Sequence, residues 1–588
     1  MIHLVHIAGS GRRLWRAAAW SLPLVILANC HGPLDSDDRN GLRNRLVAEY
    51  RERLTEPPDE HATVEQLYAH FPADRDRRLD HRGSGDDGAE VDGEGNLEPG
   101  EGMSDQSDRE VDISITQALD MALAHNLDYQ VARFAPVIAS ERLREAEAAF
   151  DPALFLETQW SDAHRPRPSG TIPGLTGDQR SEQFELSTGL RVPLDIGTEL
   201  TLQGRLRRQM EDPSVFADRS YYESELSLGI RQPLLRGFGH AMNRAEIRLI
   251  RNLEQAETEQ LREELIALAG EVEEAYWSLF LAHRRYRIQS RLLERTIAER
   301  ERLRQREDVD VTPIERAEVD GFVETRRGAR IRARRDMRRA SDELKRLLNA
   351  PDLPLMDKVV LRPRDEPVAG GEALGLDKLV AQAIRNRPAL AVALLEIDDA
   401  DIRETVARRS RLPVADLIAE AGSSGLDLDA PGHAARRATE FDYLNYLVGL
   451  EVEVPIGNRA ARARHQRSRR ERQQATAAYR ARVHDVVMEV KDAQREVESA
   501  DRLIDVAREG RRAVARVLHT LEQEEELGVA LTPAFVLDKK LDVQERLAEA
   551  QIHEAEAEAA YMVAVARLHQ ATGTLLDENE IEFIEAEQ

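Results

Sequence analysis

The sequence predicts a mainly α-helical protein with a smaller β-strand portion, in which one unit of helix, strands, long helix and returning helix is used twice. Two long proline-free stretches carry this prediction, one from Gly237 to Pro313 and the other from Pro455 to Pro533. They align at a shift of about 220 residues, as an internal duplication requires. Alternating apolar and polar residues before each stretch predict the strands.

The N-terminus predicts export. A basic stretch, 12–16, precedes the apolar run 17–28, which Pro23 interrupts and which is too short for a stable membrane helix. The box at 27–30 resembles a lipoprotein processing site in which Cys30 is acylated, although Asn29 is larger than the residue usual there. The alternative is a plain secretory signal with an incidental cysteine.

Composition narrows the classes of function. Of 588 residues, 5% are aromatic, and the net charge of -26 disfavours nucleic acid, whose phosphates it would repel. A single cysteine excludes disulfides within the chain and thiolate metal clusters. The acidic, glycine-rich segment 86–110 has almost no apolar residues, so we expect a tether there.

The ordered part is predicted to open at Asp112, after a loose acidic arm to which no function is assigned. The predicted organisation is a signal peptide at 1–30, the arm at 31–111, a first repeat at 112–350, a linker at 351–371, a second repeat at 372–576 and an acidic tail at 577–588.

Short amphipathic helices open each repeat and end near Asn126 and Arg387. A second helix follows each of them, and Pro136 should kink the first of these. The strands come next, at about 153–160, 184–192, 199–207 and 224–231 in the first repeat and 448–454 in the second. This alternation fits a sheet on a core in water, or a membrane barrel with its apolar face on lipid.

Heptads then mark the long helices. In the first repeat, apolar residues spaced by three and four run from Leu265 to Tyr286 and then weaken through Gln289 and Thr296, although Leu293 and Leu303 remain. In the second repeat they run from Val483 to Leu521, where only Arg511 interrupts them. Such stripes predict left-handed supercoiling against a partner helix, and on their own they also fit a solvent-exposed rod. Returning helices are predicted at 314–348 and 534–572. The scattered histidines, His283 and His519 among them, are interpreted as helix-surface residues.

Five motifs, taken in order, resemble those of the TolC-like outer-membrane efflux family. They are Ala118–Asn126, Arg231–Gly237, Asn386–Leu390, Val452–Arg459 and Leu527–Asp538. The resemblance implies a homotrimer in which each chain gives strands to a shared outer-membrane β-barrel and helices to a periplasmic α-barrel tunnel. Open strand edges cannot face lipid, so such a barrel must close across several chains. The family usually has one hairpin per repeat, whereas the first repeat here predicts two, which either extend an outer loop or enlarge the barrel.

The resemblance also implies where a gate would lie. The family's helix tips meet an adaptor, and the candidate contacts here are Asp308, Val309, Thr312, Pro313, Gly528, Val529, Thr532 and Pro533. Glycine and proline also serve as ordinary turn residues at such places. Of the two aspartates that ring the family's constriction, Asp538 matches the second, and Phe535 occupies the position of the first. Asp542, one turn further on, is a substitute candidate. The plain alternative is a salt bridge from Asp538 to Lys539 or to an arginine on a neighbouring helix.

The predicted function is therefore a passive exit duct for small molecules or ions, with an inner-membrane pump and a periplasmic adaptor as partners. No catalytic, cofactor or metal motif is present in the sequence, so we expect no enzyme. Two alternatives stay open. One is the outer-membrane duct of a type I protein secretion system, which uses the same fold, and the other is a periplasmic coiled-coil scaffold protein.

Overall fold

The computed structural model describes residues 109–166, 178–212, 220–305, 312–356, 358–368, 370, 375–526, 533–581 and 583. These residues form two compact units. The first, called the strand unit, comprises 136–257 and 392–479; the second, called the helical unit, comprises the remaining described residues. Cys30, the predicted signal and residues 86–108 of the predicted tether lie outside the described residues. The last two residues of that tether, Arg109 and Glu110, correct the prediction, because they belong to a paired strand.

The helices follow the order that the sequence predicts. In chain order they are α1 Ile115–His125, α2 Leu127–Ala132, α3 Phe134–Glu147, α4 His240–Asn243, α5 Ala245–Gln305, α6 Pro313–Leu348, α7 Leu376–Asn386, α8 Pro388–Arg409, α9 Pro431–Thr439, α10 Arg459–Glu526, α11 Pro533–Thr572 and α12 Leu575–Glu578. The long helices α5 and α10 have 61 and 68 residues. At ~1.5 Å per residue each spans on the order of 100 Å. The duplicated pattern of long and returning helices is thus confirmed.

Pro136 acts on the helix before it. The helix predicted there is divided into α2 and α3, with the break at Arg133. Proline has no N–H to donate to the carbonyl of Ala132, four residues earlier, and its ring crowds that carbonyl. The chain therefore interrupts its helix one residue after Ala132.

The core of the helical unit lies along α5. Leu265, Val272 and Leu279, spaced by seven, are almost fully buried, as the heptad pattern predicts. Trp277 makes edge-on ring contacts with both of its aromatic neighbours on the same helix, Tyr276 and Phe280. These large rings fill the space between helices α1, α5 and α6.

A two-stranded parallel sheet covers this core. Strand β1, Arg109–Ile113, pairs with β6, Val359–Pro363. The hydroxyl of Tyr276 lies 2.8 Å from a carboxylate oxygen of Asp365, just after β6, and accepts the backbone N–H of that residue at 3.1 Å. Strand β1 thus includes three residues before the predicted start at Asp112, because it has a partner strand inside the predicted linker.

His283 corrects an interpretation made from the sequence. Its ring is buried rather than at the helix surface, and its Nε2 atom lies 2.8 Å from the carbonyl oxygen of Leu361 in β6. Burial lowers its pKa, and the contact with the Leu361 carbonyl opposes that shift. His519 is exposed, as the sequence predicts.

Glu273 gives a pH-dependent prediction for the helical unit. Burial raises its pKa above the ordinary value of 4.5, although Asn579 donates a hydrogen bond to it at 2.7 Å. The Glu273 carboxyl therefore binds its proton more tightly in the folded state than in the unfolded chain. The stabilisation that this proton gives to the folded state is complete below pH 4.5 and is lost as the pH rises through the raised pKa. Glu273→Gln should therefore raise the thermal midpoint at neutral pH, with a gain that shrinks on acidification.

Circular dichroism scans at several pH values measure this difference. The matched control is Glu274→Gln, because that neighbour is half exposed and pairs with Arg567 at 3.2 Å. We expect the control to change the midpoint little. A lower midpoint for Glu273→Gln at neutral pH would contradict the argument.

The strand unit contains a six-stranded antiparallel sheet. Its strands, in their order across the sheet, are β2 Ala153–Pro166, β3 Asp178–Pro193, β4 Glu199–Asp212, β5 Tyr221–Pro233, β7 Val414–Asp427 and β8 Leu444–Glu453. All four strands predicted in the first repeat are confirmed. The strand predicted in the second repeat corresponds to β8, and β7 is an addition. Within the described residues, no helix has an apolar stretch long enough to cross a bilayer.

Candidate functional site

The first helix tip is described only at its returning side. Thr312 caps the N-terminus of α6: its side chain accepts the N–H of Glu315 at 3.3 Å, and the Glu315 carboxylate accepts the N–H of Thr312 at 2.7 Å. Pro313 occupies the first helical position, where a missing N–H costs nothing. This reciprocal cap fixes where the returning helix begins.

The other predicted tip residues are described less fully. Pro533 opens α11 as Pro313 opens α6. Phe535 lies in the first turn of α11, and its side chain is outside the description. Asp308, Val309, Gly528, Val529 and Thr532 lie outside the described residues.

The two candidate constriction aspartates lie on α11 in different surroundings. The side chain of Asp538 is exposed. Asp542, one turn later, is partly buried, and its carboxylate lies 2.6 Å from the guanidinium of Arg546 on the same helix. That pairing partly neutralises Asp542, so the two carboxylates are not equivalent.

Between these aspartates, Lys540 points into the helix packing. Its side chain is only 5% exposed, and its ammonium lies 2.8 Å from carboxylate oxygens of both Glu299 on α5 and Glu525 on α10. Burial alone would lower the pKa of Lys540, but hydrogen bonds to the two glutamates outweigh it and the pKa is raised. The lysine therefore stays charged and links both long helices to α11.

A second buried cation lies nearby on α6. Arg326, with a side chain 3% exposed, donates to the hydroxyl of Thr296 on α5 and, at 2.7 Å, to the carbonyl oxygen of Leu541 on α11. The Arg326 guanidinium lies 3.8 Å from a carboxylate oxygen of Glu545. Burial lowers its pKa and Glu545 opposes that shift. The sequence analysis missed Arg326 and Lys540, yet Arg326 occupies the same heptad position as Val319 and Ala333, which would have indicated burial.

One face of the six-stranded sheet is apolar and still exposed. The cross-strand pairing places its residues in continuous rows, from β2 at one edge to β8 at the other. Its exposed members include Leu154, Leu156, Trp160, Leu190, Leu202, Leu228, Leu417, Val448 and Leu450. An apolar face of this extent on a soluble protein would need a partner or a membrane.

The opposite face of the sheet carries charges in pairs. On it, Glu185 of β3 lies within 3.2 Å of Arg205 and Arg207 of β4, which in turn pair with Glu225 and Glu223 of β5. Further along, the guanidinium of Arg231 lies 2.9 Å from Asp416 of β7 and 3.2 Å from Glu451 of β8. Ion pairs therefore connect the strands from β3 to β8 on a face suited to water.

Several solved structures with a similar fold are outer-membrane channels. The chain is similar to the outer-membrane channel OprN, with 17% identity, coverage of 78% of this chain and 89% of that chain, and a TM-score of 0.57. It is also similar to the CmeC outer membrane channel of Campylobacter jejuni (13% identity, 78% and 86% coverage, TM-score 0.55) and to the open state of the MtrE outer membrane channel of Neisseria gonorrhoeae (17%, 78% and 89%, 0.54). At these identities the likeness establishes the fold.

The family comparison agrees with the fold. Residues 379–574, in the second repeat, match the family model described as outer membrane efflux protein. No curated protein sequence matches the chain. The resemblance to the TolC-like outer-membrane efflux family that the motifs indicate is therefore confirmed, and that family is one of channels rather than enzymes.

Proposed function

We propose that three copies of this chain form a passive exit duct in the outer membrane of a diderm bacterium, with the helices extending into the periplasm. The observation that carries the proposal is the sheet, which has one exposed apolar face, one ion-paired face and unpaired edges at β2 and β8. Unpaired strand edges are unfavourable in lipid, so the sheet has to close with other copies. The apolar face would then lie on lipid and the charged face on a wet lumen.

Partners and cargo follow from the same proposal. A duct of this kind has no energy source of its own, so a periplasmic adaptor and an inner-membrane pump would supply substrate, here small molecules or ions. Secreted polypeptides are the second candidate cargo, because the same fold serves type I secretion. A periplasmic scaffold is disfavoured because it leaves the apolar face of the sheet uncovered.

Channel recording tests the duct directly. The full-length protein, purified in mild detergent, should be a trimer and should pass current across a planar lipid bilayer. Carbonate washing of membranes separates the scaffold alternative, since a barrel resists extraction and a scaffold without a lipid anchor does not. A monomeric preparation that never conducts would overturn the proposal.

We propose further that Asp538 lies at the constriction of the duct. Three copies of an exposed carboxylate in a narrow passage would concentrate negative potential and attract cations. Asp538→Ala should raise the concentration of a trivalent cation needed to block the current by about tenfold, because three charges leave together. The control is Asp542→Ala, for which a smaller change is expected since Arg546 already pairs with that carboxylate. An unchanged block in Asp538→Ala would remove Asp538 from the constriction.

Lipidation of Cys30 is proposed as an additional anchor. One acyl chain binds a membrane only weakly, so the barrel would remain the principal anchor. Metabolic labelling with radioactive palmitate should mark the wild-type chain, and Cys30→Ser should abolish the label. Labelling that persists in the variant, or its absence in the wild type, would contradict this expectation.

A further inference from the structure

The additional hairpin of the first repeat shares the geometry of the whole sheet. Strands β2 and β3 pair along 14 residues without interruption, from Ala153 opposite Arg191 to Pro166 opposite Asp178. Strand β3 then pairs with β4 over a further 14 residues. A hairpin that only extended an outer loop would not need to pair in register as far as the inner end of the sheet.

The inner ends of the strands step in one direction at three of the five strand-to-strand intervals and are level at the other two. Strand β3 extends two residues past Ala153 of β2, β5 extends two past Glu199 of β4, and β7 extends two past Pro233 of β5. These steps add up to six residues over five strand-to-strand intervals. With spacings of ~3.3 Å along and ~4.8 Å between strands, that stagger corresponds to a tilt of about 40°, as in closed barrels. The step at β2 is the same as the steps at β5 and β7.

The faces of β2 and β3 continue those of the other strands. Leu156 and Trp160 of β2 are 70% and 63% exposed on the apolar face. On the charged face, the ring of Phe155 lies over Gly189 of β3, and the guanidinium of Arg191 is 5.6 Å from the ring centroid. The additional strands therefore continue both the apolar face and the charged face of the other strands.

The turn between β3 and β4 contacts the segment that connects β5 to α5. The N–H of Gly239 donates to the carbonyl oxygen of Ile196 at 2.9 Å, and the carboxylate of Asp195 lies 3.1 Å from His240 and 3.3 Å from Arg244. Gly197 has φ of 91°, and a Cβ there would meet the Gly237 carbonyl oxygen at 2.4 Å. Contacts this close fix the hairpin at the inner end of the sheet.

From these observations we infer that all six strands belong to the barrel. The trimer of the proposed function then closes an eighteen-stranded barrel, in which β2 of one chain pairs with β8 of the next. Six strands from each of three chains give eighteen, whereas one hairpin per repeat gives twelve. An even number of strands per chain keeps the seam antiparallel. At the same tilt, eighteen strands separate opposite backbones by about 36 Å, against about 24 Å for twelve.

Disulfide trapping between subunits tests which strand meets β8. Continuing the two-residue step across the seam places Thr158 of one chain opposite Leu450 of the next, both on the apolar face. Leu450→Cys is therefore combined in turn with Leu156→Cys, Thr158→Cys and Trp160→Cys on β2. The competing set combines it with Leu202→Cys, Gly204→Cys and Leu206→Cys on β4, the strand that would form the seam of a twelve-stranded barrel, because the same step places Gly204 opposite Leu450. Each full-length variant is oxidised in membranes and separated without reductant.

The expected result is a disulfide-linked dimer or trimer with β2 positions, strongest at Thr158, and none with β4 positions. Links to β4 instead, or no link to either strand in trimers that conduct, would overturn the eighteen-stranded wall and leave the duct itself intact. Monomers that do not conduct would overturn the duct as well. The variant that carries Leu450→Cys alone is the control, because it shows any disulfide that involves Cys30.

Discussion

In the proposed duct, Leu202→Arg should prevent a stable trimer from forming in the membrane, whereas Gln203→Arg at the adjacent position should be tolerated. Leu202 is exposed on the apolar face of β4, where its cross-strand partners are Leu190 and Leu228. An arginine at the midplane of a lipid-facing strand costs about 2–4 kcal/mol, and a trimer carries three of them. The Gln203 side chain projects to the ion-paired face, where an added charge meets water.

The measurement is the fraction of trimer in carbonate-washed membranes, followed by its resistance to heat in detergent. Gln203→Arg is the matched control, because it adds the same side chain to the same strand one residue away. Equal behaviour of the two variants would mean that both faces of the sheet lie in water. That outcome would favour the scaffold over the duct.

Arg326→Ala should lower the free energy of unfolding of the helical unit by roughly 2–4 kcal/mol, because it removes a buried cation that contacts both α5 and α11. The loss leaves the hydroxyl of Thr296 and the carbonyl of Leu541 without this donor and opens a cavity. Arg326→Met should recover part of the loss, because it refills the volume without the charge.

Amide hydrogen exchange along α5, α6 and α11 measures this effect locally, and the thermal midpoint of the helix signal measures it globally. The matched control is Arg327→Ala, since that neighbour is exposed and pairs with Glu324 one turn away on the same helix. We expect the control to stay within about 0.5 kcal/mol of wild type. Equal protection in Arg326→Ala and Arg327→Ala would show that the buried network contributes little.

The long helices and most strands could be predicted from sequence because their signals are local and repeated. Heptads persist through most of α5 and α10, and the interruption of the α10 stripe at Arg511 is explained by the ion pair of that residue with Glu554 on α11. Strand β7 was missed because alanine, serine and glycine dilute its alternation between Val414 and Asp427. Helix α9 has only nine residues, too few for a periodic pattern to emerge.

The features that sequence could not supply depend on distant partners. His283 is buried because strand β6, about 80 residues later, covers it, and a lone histidine on an amphipathic helix gives no sign of that. Lys540 is buried because Glu299 and Glu525 converge on it from two other helices. Charged residues are ordinarily exposed, so only their heptad position could have indicated otherwise.

Helix α9 lies in the connection between β7 and β8, which in the proposed duct would face the outside of the cell. It packs on β7, where a Cβ on Gly425 would lie 2.2 Å from the carbonyl oxygen of Ala434. The carboxylate of Asp427 accepts the N–H groups of Asp429 and Ala430 and lies 3.3 Å from Arg437. A connection tethered at both its start and its middle cannot sweep over the mouth. In the proposed duct, this segment would therefore present a fixed shape at the outer end of the sheet.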